Sequence, residues 1–378
     1  MKYLTLDDVC LLNMGQSPDS STYNEVGEGL PFYQGNADFG ERYPQCRIWC
    51  SEPTKIAEKE DVLISVRAPI GALNEAREKC CIGRGLAAIR PKGGLNKDFL
   101  YYFLLSKKSY LISKGTGSTF KAISKNVLRE LTIPVPTLQE QEKQSGILNT
   151  LWRVICKRRT QQAKLDELIK CRFVEMFGTY PANEKGWKTG TIRDVIQEAR
   201  YGASRPAVEG GQYPYLRMNN ITYGGDLDLS DTKRINVPEA ELPKCTVRRG
   251  DVLFNRTNSK ELVGKTCVYN RDEMMVLAGF VIRVRVNDSV LPEFLAAFLN
   301  AGFSKHMLLN MCKSAIGQAN INAQEMQDIE IYIPPISSQQ EYVSFKNQID
   351  KFKFVIQQSL DETQKLFDSF MQKYFDSW

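Results

Sequence analysis

Two segments of the chain carry apolar residues at helical spacing for longer than any others. In the first, Leu148, Leu151, Ile155, Leu165, Leu168, Ile169 and Met176 recur at intervals of three, four and seven. In the second, Tyr342, Phe345, Ile349, Phe352, Ile356, Leu360, Phe367, Phe370 and Tyr374 do the same. These stripes predict helices over 137–178 and 336–378, each about 60 Å long at roughly 1.5 Å per residue. A stripe of that length needs a partner, and an antiparallel helix pair is the simplest way to bury both. The polar run Lys157–Gln162 interrupts the first stripe and forms a basic patch.

Elsewhere the pattern shortens to strand-length runs. Leu30 to Gly40 reads as a strand entering an amide-rich turn, and Val62 to Val66 and Gly85 to Pro91 as β-prone runs between breakers. Asp98 to Leu111 is apolar around most of a helix and starts at an Asp, so it predicts one buried helix capped there. Gly15–Ser21 and Lys114–Ser124 are loops rich in Gly and hydroxyls, the latter leading into a strand that ends at Pro136.

This order is then written a second time. Thr191–Val195 answers Leu6–Val9, Arg200–Pro206 answers Gly15–Ser21, and Tyr213–Ile221 answers Leu30–Asp38. Arg248–Gly264 answers Glu58–Gly71 with Asp251-Val252-Leu253 on Asp61-Val62-Leu63, and Glu293–Asn300 answers the helix at Asp98. Offsets drift from about 190 to 198 residues, as duplicated domains with altered loops should. The expected architecture is α/β (α+β): duplicated domains at 1–136 and 179–335, separated by an antiparallel coiled coil of the helices 137–178 and 336–378, in pseudo-two-fold arrangement. A duplicated unit of this kind suits a target that has two parts.

Composition narrows the field. The chain has 378 residues, 42% hydrophobic and 25% charged, and a formal net charge of +6, ordinary for a globular protein in the cytoplasm and mildly favourable to nucleic acid. No apolar run approaches the roughly 18 residues that a membrane span requires, and the first ten residues hold acids where a signal peptide is apolar. The 10 Cys are therefore expected as reduced thiols.

A search for chemistry returns little. The only Pro-Pro, Pro334-Pro335, follows Ile333 and so lacks the Asn/Asp-Pro-Pro-aromatic signature of an adenine methyltransferase. Gly83-Arg84-Gly85 lacks the third glycine of a dinucleotide loop. The single histidine, His306, beside Lys305 and Met307, reads as a surface or partly packed side chain, and Asp166 and Glu167 as solvated helix charges. Cys46, Cys50, Cys80 and Cys81 do not have zinc-ribbon spacing, and no cofactor or metal site is expected on the chain.

Side chains able to read base edges stand instead where strands meet loops, since Arg pairs with guanine and Asn or Gln with adenine. In the first copy these are Gln34, Asn36, Arg67, Ser118, Thr119 and Lys121, with Tyr33 and Phe120 able to pack on sugar or thymine methyl. In the second they are Arg217, Asn219, Asn220, Asn255, Arg256, Asn258, Gln318 and Asn320. Each is equally readable as a turn-forming Asn or a solvated Arg; the grouping at corresponding places, with different identities, favours one scaffold tuned to two targets. Lys107, Lys108, Lys114, Lys125, Arg248, Arg249, Lys260 and Lys265 are the phosphate contacts to expect.

The helix starts Pro136-Thr137-Leu138-Gln139-Glu140-Gln141-Glu142 and Pro334-Pro335-Ile336-Ser337-Ser338-Gln339-Gln340, with the segments Glu60–Leu63 and Gly250–Leu253 and the Gly117–Ser124 stretch, carry a family likeness. In that order, twice over, they resemble the specificity subunit of Type I restriction–modification enzymes. The resemblance covers essentially the whole chain and implies that each domain is a target-recognition domain reading half of a bipartite, asymmetric double-stranded DNA site. It also implies helices that set the spacer and dock two methyltransferase subunits, which bring S-adenosylmethionine and to which restriction subunits can add. The chain itself would be non-catalytic. The other reading is a non-catalytic protein-interaction scaffold built on the helix pair.

Overall fold

The runs Val62–Ser65 and Leu86–Pro91 are apolar without alternation because both faces of their sheet are covered. They pair antiparallel in a four-stranded sheet of order Cys10–Met14, Leu86–Pro91, Val62–Ser65, Leu73–Glu75. Val62, Ile64, Ala87 and Ile89 face one way, onto Phe99, Leu100 and Phe103. Leu63, Leu86 and Ala88 face the other, onto Tyr33 and Ile82. Those two belong to a five-stranded sheet in which Leu30–Tyr33 runs parallel to Cys80–Ile82. The computed structural model describes residues 2–117, 121–315 and 318–376. It divides into two units, of which this is the first, Met1–Arg159 with Gln358–Trp378.

The helix expected over Asp98–Leu111 is two, Lys97–Ser106 and Lys108–Ser113, because Lys107 leaves helical dihedrals. Its cap is Asn96, extended in backbone, whose side chain accepts the Phe99 N–H at 3.0 Å. Asp98 lies inside the first turn and instead accepts from Arg42 at 2.6 Å and from the Asn149 amide at 2.8 Å.

The second unit, Thr160–Gln357, repeats the plan. Its sheet order is Ile196–Tyr201, Val281–Val286, Val252–Asn255, Thr266–Val268, and again one parallel pair, Tyr213–Leu216 with Met275–Leu277, lies in the neighbouring sheet. Phe254, Ile282 and Val284 pack on Phe294 and Phe298, while Leu253 and Val281 pack on Leu216 and Leu277.

The repeated motifs prove to be the joints of this plan. Asp61 caps its own turn by accepting the Glu58 N–H at 2.8 Å and grips Arg90 on the adjacent strand at 2.7 and 2.9 Å. Asp251 does the same with the Arg248 N–H at 2.9 Å and Arg285 at 2.8 Å. The buried Gln141 carboxamide accepts the Asn96 N–H at 2.8 Å and donates to the Gly94 and Pro136 carbonyls, both at 3.0 Å. Gln339 repeats this with Leu291, Ser289 and Pro334 at 2.8, 3.1 and 2.8 Å. An amide that satisfies three backbone groups at once fixes where the long helix leaves its sheet.

Those helices run Leu138–Phe177 and Ile336–Met371, and each unit owns one half of each. In the first unit Leu148 and Ile155 share a core with Leu360, Phe367 and Met371. In the second, Phe173 and Phe177 pack on Tyr342. There Gln162–Gln357 (2.8 Å), Asp166–Lys353 (2.6 Å) and Arg172–Glu341 (2.8 Å) pair in opposite order along the two helices, so they are antiparallel. Asp166 is thus a solvated helix charge, as expected, that also pairs across the seam. Leu168 and Phe352, expected in the apolar stripe, are 44% and 61% exposed, because polar pairs occupy this part of the seam.

Candidate nucleic-acid interface

A short series of backbone bonds gathers the first unit's polar ends. The Gln16 N–H donates to the Ile82 carbonyl (3.0 Å), Gly83 to Tyr33 (2.8 Å), Gly85 to Gln34 (3.2 Å), Val66 to Gly85 (2.9 Å) and Ile123 to Val66 (2.9 Å). Neighbouring segments therefore carry Gln16, Gln34, Arg84, Arg67 and Lys121, all exposed. The approach is close enough to require glycine at Gly15, where a Cβ would sit 2.2 Å from the Gly83 carbonyl oxygen. Asp38 sets the turn by accepting the Gln34 and Gly35 N–H groups at 2.8 and 3.3 Å, and Arg47 pairs with it at 2.6 Å. Asn36 opens the short helical turn Asn36–Asp38 and is half-buried. Ser118, Thr119 and Phe120 lie outside the described residues.

The second unit repeats four of these five bonds. Ala203 donates to Leu277 (2.7 Å), Ala278 to Leu216 (2.9 Å), Arg256 to Phe280 (3.0 Å) and Ile321 to Arg256 (2.9 Å). Gly202 stands where Gly15 does, its Cβ position 2.1 Å from the Leu277 carbonyl oxygen. This register places Arg217 where the first unit has Gln34, and Phe280 where it has Gly85. It also puts Arg256 at the place of Val66, so the counterpart of Arg67 is Thr257; the two arginines do not correspond, because the chain alternates faces residue by residue.

The side chains around this frame divide by role. Asn219 is exposed, whereas Asn220 is buried, accepting the Arg217 N–H at 2.9 Å and donating to the Asp228 carbonyl at 2.8 Å. Asn255 is buried as well, with its oxygen toward the Thr257 N–H at 3.4 Å. Arg217 is paired with Asp231 at 2.8 Å. Arg256 lies with its guanidinium carbon 4.8 Å from the Tyr201 ring centroid, reaches the Gly279 carbonyl at 3.4 Å, and has no carboxylate partner among the described residues. Asn258 and Asn320 sit on paired strands, Thr257–Asn258 and Gln318–Asn320, and Asn320 accepts the Thr257 hydroxyl at 3.0 Å.

Among the cations expected on phosphate, Lys108, Lys114, Lys125, Arg248 and Lys260 are exposed. Arg249 is occupied by Asp272 at 2.7 and 2.9 Å, and Lys107 donates to the Phe375 carbonyl at 3.0 Å. Lys265 is buried: its ammonium donates to the Ile221 and Met218 carbonyls at 2.6 and 3.1 Å, clamping the turn that follows Arg217. Burial pulls its pKa down. Lys305, donating to the Gly264 carbonyl at 2.8 Å, is pushed down to about 8 by burial and then by the charge of Lys265.

Sequence reasoning passed over Gln16, Arg84, Tyr201 and Phe280. The glycines around Arg84 carried a signal, since paired glycines mark a close backbone approach; Tyr201 falls in a segment expected as a loop, and nothing marks Phe280 out. No group of three or more His, Cys, Asp or Glu able to hold a metal occurs among the described residues, and burial pushes the Cys80 thiol up to about 12. What the frame offers is a set of amide and guanidinium donors and acceptors held on short, cross-bonded segments, suited to hydrogen-bonded recognition.

A family model described as the Type I restriction modification DNA specificity domain matches the chain twice, over residues 1–165 and 184–363. The putative type I restriction enzyme MjaX specificity subunit of Methanocaldococcus jannaschii is 42% identical over 158 residues, which is 42% of this chain but only 37% of that protein. The type I restriction enzyme EcoKI specificity subunit of Escherichia coli K12 is 23% identical over 319 residues, 79% of this chain and 68% of that one. In fold, the crystal structure of the Type-I restriction-modification system S subunit from M. genitalium matches with a TM-score of 0.57 at 16% identity, covering 99% of this chain and 96% of the other. Carrying this domain twice along nearly its whole length, the chain belongs to the Type I restriction modification DNA specificity family.

Proposed function

We propose that this chain is the sequence-reading subunit of a Type I restriction–modification methyltransferase complex, each unit reading one half of a bipartite, asymmetric site in double-stranded DNA. The observation that carries the reading is one backbone frame used twice with different polar side chains. Gln16, Gln34, Arg67, Arg84 and Lys121 in one unit, and Arg217, Asn219, Arg256 and Asn320 in the other, offer the amide and guanidinium groups that discriminate adenine and guanine in the major groove. Exposed lysines around them hold phosphate and set register without reading sequence.

The chain is non-catalytic in this scheme. Two methyltransferase subunits supply the S-adenosylmethionine site and flip the adenine out of the stack, and restriction subunits can join them. The long helices dock those subunits and set the spacer; Phe352, Phe354 and Val355, 61–63% exposed on the terminal helix, are apolar surface of the sort a partner covers. The complex works in the cytoplasm with the DNA; no described helix is long and apolar enough to cross a membrane.

The test compares adenine methylation across the genome in cells that express this chain with its methyltransferase subunit and in cells lacking this chain alone. A split, asymmetric motif that vanishes with the chain is the expected result. An unchanged pattern would leave the scaffold reading, with the exposed helix residues as its binding surface.

A further inference from the structure

Phe280 is 55% exposed although it abuts a buried β-strand, Val281–Val286. One exposed ring is unremarkable by itself, but its surroundings are unusual. The Arg256 N–H donates to the Phe280 carbonyl, one step beyond the antiparallel pair Asn255–Val281, which sets the two side chains on the same side of the sheet. Tyr201, 43% exposed, backs the Arg256 guanidinium and is itself tied down by the Ala323 N–H, which donates to its hydroxyl at 2.8 Å. The Nε of Arg256 is buried without a hydrogen-bond partner, and no carboxylate compensates its charge among the described residues. An uncompensated, stacked guanidinium beside a bare ring is arranged for a target that is both negatively charged and apolar at its edge.

The first unit cannot present such a pair. At the place of Phe280 it has Gly85, where a Cβ would lie 2.4 Å from the Gln34 carbonyl oxygen, and at the place of Arg256 it has buried Val66. The ring and the guanidinium are thus jointly particular to the second unit.

We infer that Phe280 is a specificity-determining residue of the second unit, an apolar reader that contacts the 5-methyl group of a thymine in that unit's half-site. In the major groove the thymine methyl is the one apolar feature of a base edge, and Phe is among the side chains that meet it, while an adjacent Arg takes guanine. The inference rests on the reading of the chain as a DNA-sequence reader.

The experiment uses the full chain with its methyltransferase partner. Once methylation mapping has given both half-sites, duplexes are made in which each thymine is replaced in turn by deoxyuridine, removing only the methyl group. One position in the second half-site should lose affinity by roughly fourfold, the worth of one buried methyl. Phe280→Ala should erase that sensitivity, Phe280→Leu should keep part of it, and thymines in the first half-site should be unaffected by either change. Uridine sensitivity that survives in Phe280→Ala, or its absence in the unaltered chain, overturns the inference. So does weakening by Phe280→Ala that is equal on all sequences. Absence of any split motif in the methylation map would sink the parent reading before the duplexes are needed, so the two failures are distinct.

Discussion

The turns after Gln34 and after Arg217 occupy the same place in the two units and are held in opposite ways. In the first, Asp38 satisfies the turn's N–H groups and its remaining charge is met at the surface by Arg47, whose side chain is 60% exposed. In the second, Asn220 takes the N–H and a buried ammonium, Lys265, takes the carbonyls. The counterpart of Lys265 is Ala72: the Ser65 N–H donates to the Ala72 carbonyl at 2.8 Å as the Asn255 N–H does to Lys265 at 2.9 Å. A carboxylate lock with a wet partner can lose that partner with little effect. A buried cation bonded only to carbonyls cannot be removed without leaving those carbonyls unsatisfied. One frame has therefore diverged in how it is braced as well as in what it displays.

The largest effect should come from breaking the buried lock. Lys265→Met is expected to destabilise the second unit by about 1.5–3 kcal/mol, the range for hydrogen bonds to a charged group, and to abolish recognition of one half-site while the other persists. Urea unfolding and methylation mapping check the two parts; loss of both half-sites together would show that the lock is not local to its unit. Next come the guanidiniums. Arg67→Ala and Arg256→Ala should each cost about 1–3 kcal/mol of DNA affinity and relax different half-sites, measured by competition with single-base variants. Equal weakening on every sequence would demote either one to a phosphate contact.

A smaller effect is written in the pH dependence. Lys305 has a folded pKa of about 8, below its ordinary value of 10.5. Between those values the unfolded chain binds more protons than the folded one, so this group makes stability rise with pH across that window. Its penalty is fully present below about 8. The unfolding midpoint of the unaltered chain, relative to Lys305→Gln, should therefore climb from pH 7 to pH 10; a flat difference would mean that burial does not govern this ammonium. The smallest change is expected for Arg47→Ala, within about 1 kcal/mol as for exposed pairs generally, with both half-sites retained. A loss as large as that of Lys265→Met would erase the contrast between the locks.

Much of the architecture could be read from spacing alone. Buried strands announced themselves as unbroken apolar runs, and the duplicated Asp61/Asp251 and Gln141/Gln339 pointed to joints that recur, although only the structure showed them bonding Arg90, Arg285 and the backbone around the helix starts. The recognition surface was less legible. Asn219 and Asn220 are adjacent and chemically identical, yet one is exposed and the other spent on its own turn, because Asn serves turns and ligands through the same groups. Arg67 and Arg256, each a candidate reader of its own copy, stand one residue apart in the ladder register. Tyr201 falls in a segment expected as a loop and nothing in the pattern marks Phe280, because periodicity reports which side of a strand a residue faces, not where the covering layer stops.

The sharing of the long helices has a consequence for biosynthesis. The second unit is one unbroken stretch, Thr160–Gln357, whereas the first needs Gln358–Trp378 in addition to Met1–Arg159. Until those last residues leave the ribosome, Phe99 and Phe103 lack Phe375, whose ring centroid lies 5.1 and 6.1 Å from theirs, and Phe367 and Met371 are missing from the same core. Nascent domains ordinarily mature in the order in which they are translated. Here the unit translated first is completed only after the whole of the second has been made.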